Sequence, residues 1–401
     1  EQAFRGDGVA GRVVPHTVES FMRWTCARPA AKPSRPERPI ARPLTRPYDA
    51  PISNRPERRP REEVDDRVLS FGVTFMLDPP VSRTIEWARL AEAQGFDAVW
   101  AWDSHVLWQE FYTTFALVAA NTERVRLGPC VTNPATRDMT VTASAMATLQ
   151  EVSGGRMDIG IGRGDSARRV IGQKPVTVEQ MEHACRFIKD LAEGREVDHE
   201  GTPLQLKWSE GHRLPVWVAA YGPKALRACG RVADGLIMQL ADPFILGWSL
   251  AYVREGAEEA GRSFEDIQIQ VAAPGYLSED LAMARDQVRW FPALVSNHVV
   301  DLVKRYSDAD LPQALTDYIE ARDHYDYADH GRTGAEHADF VTDEVVDRFC
   351  VLGTADACIG KLRELEALGV TQFNIYSMQE DPGPAGIIEG FGKDVLPAFR
   401  T

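Results

Sequence analysis

Polar side chains that can carry out chemistry lie at or near the ends of several short apolar runs of the sequence. The residues at these positions are Thr74, Asp103, Ser104, His105, Thr132, Asn133, Asp165, Ser166 and Gln239. An imidazole with an ordinary pKa of about 6.5 can act as a general acid or base, and Asp103 can fix the tautomer of His105. The alternative is a histidine that only forms a structural hydrogen bond at a strand end.

The stretch Gly160–Ser166, with the sequence GIGRGDS, is the most distinctive of these segments. It overlaps the apolar run Met157–Ile161, and helical periodicity resumes at Val176–Gly194. Because glycine has no Cβ, backbone N–H groups in such a loop can approach a ligand closely. The order of strand, glycine turn, polar tip and helix predicts one unit of an α/β enzyme with its ligand at the strand's carboxyl end. A tight turn without a ligand is the alternative.

A second segment, Gly222-Pro223-Lys224, has the features of an anion site. The first N–H groups of a helix are unpaired, and the helix dipole favours negative charge beside them. Gly222 permits close approach, and Pro223 suits the first helical turn. The alternative is an ordinary strand–helix turn. Trp108 can provide a flat wall for a ligand, or it can pack within its own loop.

Two other chemistries find little support in the sequence. His298, His324, His330 and His337 lie among aspartates and tyrosines, but they lack the HxH and HExxH spacings of metal sites. We therefore predict no metal site and expect this segment to form a solvated surface. The loop Gly160–Ser166 also lacks the GxSxG pattern of serine hydrolases.

The composition is that of an acidic globular chain. Its 401 residues are 44% hydrophobic and 26% charged, with a formal net charge of −14. No apolar run reaches the roughly 18 residues of a membrane span, and Val18–Cys26 is too short for a secretory signal. The six cysteines contain no CxxC pair, so we expect buried thiols in a reduced, cytoplasmic protein. The acidic charge argues against nucleic acid as a partner.

Residues 1–67 differ in character from the rest of the chain. Between Arg28 and Arg61 there are nine prolines and nine arginines, mostly as Arg-Pro pairs. Proline removes a backbone donor and biases the preceding residue towards extended conformations, so we predict a disordered or polyproline-like extension. It is either a dispensable extension or an arm that docks on an acidic surface.

From Val68 onward, apolar runs alternate with helical patterns. The predicted strands are Val68–Leu77, Asp97–Trp102, Val125–Thr132, Met157–Ile161, Leu214–Ala220, Leu236–Leu240, Ile267–Ala272 and Gln372–Ser377. Eight strand–helix repeats predict an α/β fold, a (β/α)8 TIM barrel over residues 68–401, with the active site at the strands' carboxyl ends. Arg195–Trp208 is predicted to form a hairpin. We expect the long, largely helical insertion at residues 281–349 to form a lid or substrate wall.

Several segments resemble the bacterial luciferase-like flavin and deazaflavin oxidoreductases. The similarity is closest to the branch that contains methylenetetrahydromethanopterin reductase and deazaflavin-dependent glucose-6-phosphate dehydrogenase. The segments that carry it are WDSHVLW at Trp102–Trp108, GPCVTNPATRDMTVTASAMATLQEVSGGR at Gly128–Arg156, GIGRGDS at Gly160–Ser166, and VAAYGPKAL with VADGLIMQLADP at Val218–Pro243.

The resemblance implies a luciferase-type barrel that binds coenzyme F-420, an 8-hydroxy-5-deazaflavin, or alternatively FMN. It implies that the cofactor's phosphate lies at Gly164–Ser166 and Gly222–Lys224, and its ring near the ends of strands one to three. A non-prolyl cis peptide at Cys130–Val131 is expected to back the ring. The cofactor-binding residues implied are Thr74, Asp103, Cys130, Val131, Thr132, Asn133, Gly164, Asp165, Ser166, Ala219, Ala220, Tyr221, Gly222, Pro223, Lys224 and Gln239.

The activity implied is hydride transfer between the cofactor and a small organic substrate. His105 and Asp165 are the candidate catalytic residues, and Trp108 is a candidate substrate contact. The dehydrogenase pattern has Asp and His adjacent, whereas Ser104 intervenes here, so Ser104 is a third candidate. The alternatives are an FMNH2-dependent monooxygenase that uses O2 and a non-enzymatic binding barrel. The resemblance also implies a homodimer or a larger homo-oligomer.

Overall fold

The structure is a computed structural model that describes residues 69–303, 316–319, 322 and 330–400. Its strands are β1 Ser70–Phe75, β2 Ala98–Ala101, β3 Arg126–Pro129, β4 Ile159–Ile161, β5 Val197–His199, β6 Thr202–Leu204, β7 Val216–Ala219, β8 Gly235–Met238, β9 Gln268–Leu277, β10 Val351–Gly353 and β11 Gln372–Tyr376. The predicted extension at residues 1–67 lies outside the described residues, as do Cys26 and His324.

The helices follow the strands in alternation. They are α1 Val81–Ala93, α2 Phe111–Ala120, α3 Met139–Ser153, α4 Asp165–Arg169, α5 Val178–Ala192, α6 Pro223–Val232, α7 Pro243–Glu259, α8 Leu281–Val288, α9 Trp290–Val303, α10 Asp343–Phe349, α11 Ala355–Ala367 and α12 Gly383–Asp394. Short 3-10 turns lie at Phe264–Asp266, Asp317–Ile319, Glu336–Ala338 and Leu396–Phe399. In the described parts of the chain, no helix combines the length and apolarity needed to cross a membrane.

Eight parallel strands form the predicted barrel. They hydrogen-bond in the order β3-β2-β1-β11-β9-β8-β7-β4. Isolated bridges from Leu127 to Met157 and from Thr132 to Ile161 join the two ends, β3 and β4. The prediction of a (β/α)8 barrel is therefore confirmed. Because the strands run parallel, all their carboxyl ends open at one rim.

Local sequence signals account for most helix ends. Asp138 caps α3 by accepting a hydrogen bond from the Thr140 N–H at 2.8 Å, and α3 ends at Gly154, whose φ is 69°. Asp242 caps α7 by accepting from the Ile245 N–H at 2.8 Å. Such side chains satisfy N–H groups that the helix itself leaves unpaired. The left-handed conformation at Gly154 is one that glycine adopts without strain.

Two predicted strand ends need correction, and one predicted hairpin is confirmed. Strand β3 ends at Pro129 rather than at Thr132, which forms only the isolated bridge to Ile161. Strand β9 extends to Leu277, beyond the predicted end, because the unpredicted β10 pairs with its far half. The hairpin within Arg195–Trp208 is confirmed as the β5–β6 pair.

Polar side chains inside the barrel pair with one another. Trp100 Nε1 donates to Gln372 Oε1 at 3.2 Å, and Thr74 Oγ1 donates to Asn374 Oδ1 at 2.9 Å. All four residues are buried. Thr74 is thus engaged inside the barrel, where satisfied hydrogen bonds offset the cost of burying polar atoms.

The five cysteines in the described residues are free and buried, as the sequence predicts. Cys229 is fully buried, and its Sγ donates to the Gly235 carbonyl at 3.8 Å. Burial raises the pKa of Cys229 from 9.0 to about 12, because the low-dielectric interior disfavours the thiolate.

This raised pKa predicts a loss of stability in alkaline solution. The unfolded chain releases the Cys229 proton above about pH 9, whereas the folded chain holds it to about pH 12. The free energy of unfolding is therefore highest below about pH 9 and falls as the pH rises from about 9 to about 12. Between pH 8 and pH 10, the free energy of unfolding of the wild type should fall by about 1 kcal/mol more than that of Cys229→Ala. Denaturant titrations at the two pH values measure this difference, and equal losses would contradict the burial argument.

Candidate active site

One cavity of about 350 Å³ opens at the carboxyl ends of the barrel strands. Small-molecule sites in TIM barrels lie at this rim, and this volume lies within their usual range. The sequence-predicted residues that line the cavity are Asp103, Ser104, Trp108, Cys130, Val131, Asn133, Gly164, Asp165, Ser166, Ala219, Ala220, Tyr221, Gly222, Lys224 and Gln239. The barrel therefore brings together loops that follow five different strands.

Four predicted site residues lie outside the cavity lining. His105 is exposed at the surface and is not brought to the site. Thr74, Thr132 and Pro223 are buried behind the lining. Pro223 occupies the first turn of α6, and Thr132 donates a hydrogen bond to the lining residue Asp103. Both residues therefore contribute to the site's shape rather than to its surface.

The floor of the cavity depends on a close approach between β4 and the segment after β3. A Cβ built on Gly160 would lie 2.4 Å from the Pro129 carbonyl oxygen, and one on Gly162 would lie 2.8 Å from Val131 Cγ2. Real Cβ contacts are longer, so glycine is needed for this packing. The peptide bond Cys130–Val131 in this segment is cis, as the resemblance predicts.

Asp103 is a buried carboxylate whose charge is compensated. Thr132 Oγ1 donates to Asp103 Oδ2 at 2.7 Å, and Arg137 Nη1 donates to the same oxygen at 2.8 Å. Arg137 also pairs with Glu110 at 2.7 Å and lies 4.6 Å from the centroid of the Tyr112 ring. These contacts fix Asp103 as a rigid, charged part of the wall.

Asp165 begins the short helix α4, which sequence periodicity did not predict. Gly164 precedes it with a φ of 81°, and Asp165 forms an ion pair with Arg169. Burial acts to raise the pKa of Asp165, but His298, Arg169 and His330 together hold it below its usual value. Asp165 is therefore ionised at neutral pH, which suits a ligand for a cationic group rather than a proton acceptor.

Two histidines from the insertion line the cavity, although the sequence predicts a solvated surface there. The His330 ring is 5.8 Å from Trp102 and 5.9 Å from Trp108, and its residue is only 7% exposed. His298 stacks on Tyr221 at 4.6 Å. Their distance along the chain from the other site residues hides this placement from sequence patterns. In the described segments, no group of three or more His, Cys, Asp or Glu residues has the arrangement of a metal site.

A hydrogen-bonded chain of polar side chains also lines the cavity. Tyr221 Oη donates to Gln239 Oε1 at 2.7 Å, and Gln239 Nε2 donates to Tyr376 Oη at 2.7 Å. Tyr376 ends β11 and is fully buried. The sequence predicts Tyr221 and Gln239 as site residues but not Tyr376.

The predicted anion site lies at the start of α6. Gly222 is the N-cap of the helix and has no side chain with which to cap the first N–H groups. Lys224 lines the cavity and pairs with Glu179, which begins α5. The hydrogen bond from Lys224 lowers the pKa of Glu179 to about 2. Helix N–H groups and an ammonium group at one edge of the cavity form a surface suited to phosphate.

Comparisons with known proteins agree with this architecture. A model of the luciferase-like monooxygenase family matches residues 58–372. The chain is 30% identical over 336 residues to 5,10-methylenetetrahydromethanopterin reductase of Methanolobus tindarius, covering 82% of this chain and all of that protein. It is 25% identical over 339 residues to the F-420-dependent glucose-6-phosphate dehydrogenase of Amycolatopsis mediterranei, and this match covers 79% of this chain and 94% of that protein.

Solved structures share the fold. The coenzyme F-420-dependent tetrahydromethanopterin reductase of Methanopyrus kandleri superposes with a TM-score of 0.67 at 24% identity. An F-420-dependent secondary alcohol dehydrogenase, solved with an F-420–acetone adduct, superposes with a TM-score of 0.66 at 19% identity. Each match covers 83% of this chain and all of the other.

The compensation of Asp103 makes a prediction about Arg137. Arg137→Met leaves a buried carboxylate without its counter-charge, and should lower the free energy of unfolding by about 3 kcal/mol. The control Arg186→Met removes an exposed pair with Glu182 and should cost about 0.5 kcal/mol or less. Urea titrations measure both. Two results would contradict the pairing. One is an equal fall in the free energy of unfolding in both variants, and the other is no recovery of that free energy when Asp103→Asn is added to Arg137→Met.

Proposed function

The chain belongs to the luciferase-like monooxygenase family, and from that premise we propose that it is a deazaflavin-dependent oxidoreductase. It transfers a hydride between coenzyme F-420 and a small organic substrate. One observation carries this proposal. A single cavity gathers the loops after β2, β3, β4, β7 and β8 in a chain that aligns with a methylenetetrahydromethanopterin reductase over that protein's full length.

The residues of the cavity fit such a cofactor. Val131, Ala219 and Ala220 present small side chains to the cavity, which leaves room for a planar ring. The start of α6 and Lys224 suit a phosphate group, because helix N–H groups and an ammonium group both attract an anion. When bound, the deazaflavin supplies the carbon that accepts or donates the hydride. The protein's residues bind the ring, orient it and move protons.

Asp165 and His330 are the residues that we assign to proton movement. Asp165 is held ionised, and so its negative charge stabilises positive charge that develops on a neighbouring group of the cavity during proton transfer. His330 lines the cavity beside Trp102 and Trp108, so a substrate on that wall lies within its reach. His105 is exposed, and we therefore assign the acid–base role to His330 instead. Ser104 and Ser166 form a 2.7 Å hydrogen bond that fixes the wall between them.

Other features of the protein follow from the family. We propose a homodimer in the cytoplasm and a barrel domain at residues 68–401 that binds the cofactor without residues 1–67. Exposed apolar side chains at Leu117 on α2 and Val141 on α3 support a contact between subunits. Sedimentation of the chain with and without residues 1–67 measures the subunit number. Cofactor titration of both forms tests whether the extension is dispensable.

The cofactor assignment is tested by titration under anaerobic conditions. Oxidised coenzyme F-420 should bind with changes in its absorption. It should be reduced by a hydride donor of the kind used by the dehydrogenase relatives, a secondary alcohol or glucose 6-phosphate, or the reduced coenzyme should be reoxidised by the hydride acceptor of the reductase relatives, methylenetetrahydromethanopterin. Preferred binding of FMN, with oxygen consumption when reduced FMN is supplied, would contradict the proposal and support the monooxygenase alternative.

The phosphate assignment predicts a salt-dependent effect at Lys224. Lys224→Ala should weaken F-420 binding about fivefold at low ionic strength, because an exposed cation contributes modestly to anion binding. The difference should shrink as salt is added. The control Lys393→Ala removes a lysine on α12 whose side chain is 82% exposed, and should leave affinity unchanged. Wild-type affinity in Lys224→Ala at low salt would contradict the assignment.

The catalytic assignment predicts different effects at two histidines. His330→Gln should lower the rate of hydride transfer about 100-fold, because it removes the acid–base group. It should also remove one ionisation from the pH profile. His105→Gln should retain the wild-type rate, since His105 lies outside the cavity. Rapid-mixing spectroscopy of the cofactor measures both rates. A larger loss of rate in His105→Gln than in His330→Gln would assign the acid–base role to His105.

A further inference from the structure

The chain of hydrogen bonds through Gln239 determines where two tyrosine protons point. An amide side chain offers one acceptor oxygen and one donor nitrogen. Gln239 Oε1 accepts the proton of Tyr221, and Gln239 Nε2 donates to the oxygen of Tyr376. The hydroxyl proton of Tyr376 is therefore not used by Gln239 and must point to another acceptor. Successive bonds of this kind polarise one another and strengthen the terminal donor.

The acceptor that the described residues offer to this proton is a weak one. Cys130 Sγ lies 3.9 Å from Tyr376 Oη. The same sulfur accepts from Asn374 Nδ2 at 3.7 Å and lies 3.9 Å from Gln270 Oε1. Burial raises the pKa of Cys130 to about 12, so the sulfur is a neutral thiol and a poor acceptor. A fully buried O–H with only this acceptor can form a better hydrogen bond with a ligand in the cavity.

The Tyr376 ring is held in one orientation. Trp102 packs edge-on against it at 5.4 Å and 85°, and Phe291 does so at 5.6 Å and 87°. Burial raises the pKa of Tyr376 well above 10, so the hydroxyl stays protonated and remains a donor at any working pH. Tyr376, Cys130 and Gln239 all line the cavity. A ligand that occupies the cavity beside Cys130 is within reach of this donor.

We propose that Tyr376, oriented by Gln239 and Tyr221, donates a hydrogen bond to a carbonyl oxygen of the planar conjugated ring bound in the cavity. The inference rests on the proposed function in taking that ring to be the deazaflavin. A ring that accepts a hydride gains two electrons, and the added electron density spreads to its conjugated carbonyl groups. A hydrogen bond to such an oxygen is stronger than one to a neutral carbonyl. Tyr376 therefore binds the reduced ring more tightly than the oxidised ring.

The test measures dissociation constants of oxidised and reduced coenzyme F-420 for wild type and for Tyr376→Phe. The variant should bind the oxidised form about fivefold more weakly, and its affinity for the reduced form should fall by a larger factor. The absorption maximum of the bound oxidised cofactor should also shift between the two proteins. The control Tyr276→Phe alters a buried tyrosine on β9 outside the cavity lining, and should match the wild type in all three measurements.

A second variant separates a hydrogen bond from a packing defect. Gln239→Leu removes the group that orients Tyr376, and should weaken binding in the wild-type background but not in Tyr376→Phe. The inference would be overturned if the losses of affinity from Gln239→Leu and Tyr376→Phe were additive. It would also be overturned if a folded Tyr376→Phe had wild-type affinities and the wild-type spectrum. If the wild type does not bind F-420, the proposed function fails. The same variants titrated with FMN, whose ring also carries conjugated carbonyls, then test the inference separately.

Discussion

The close approach of β4 to the segment Pro129–Val131 is the constraint on which the site depends. Gly160 and Gly162 leave no side chain between the two segments, and a Cβ at either position would lie within 3 Å of an atom of its neighbour. This contact also joins the two ends of the sheet order, where Thr132 bridges to Ile161. Barrel closure and the flat cavity floor therefore have the same physical origin, which is the absence of side chains on one face of β4.

Around this floor, the cavity wall holds charges that are compensated in different ways. Asp103 is paired with Arg137 at the barrel rim, and this ion pair fixes the position of its side chain. Asp165 has Arg169 behind it and two imidazoles of the insertion near it, so its environment changes with the protonation of those rings. One carboxylate is thus held in a structural ion pair, whereas the other places a negative charge beside two imidazoles of the cavity. This division suits an enzyme in which a bound cofactor carries the hydride and the protein handles the protons.

Sequence reasoning succeeded where short-range rules apply. Alternating apolar runs and helix patterns predict the barrel, and glycine and proline at Gly222-Pro223 predict the start of α6. The same rules did not predict β10, because Val351–Gly353 becomes a strand only through its pairing with the far half of β9. They placed His105 at the site because it follows a strand, although its side chain is exposed and lies outside the cavity lining. His298 and His330 could not be found this way, since their proximity to Asp165 is created by tertiary packing alone. Tyr376 lies at the carboxyl end of a predicted strand, so the strand-end rule could have found it, although it was not among the predicted site residues.

A planar deazaflavin in the cavity would lie beside Gly162 and Val131, which both line it. Titration of oxidised coenzyme F-420 into Gly162→Val tests this placement directly, since the valine side chain fills space next to Val131 without requiring a left-handed backbone. Gly247→Val, whose added Cβ meets no neighbour within 4 Å on α7, is the control. We predict that Gly162→Val has a lower thermal midpoint than the control and, at a temperature at which both proteins are folded, binds at least about tenfold more weakly, because packing tolerates little added volume. Wild-type affinity in a folded Gly162→Val would contradict the account.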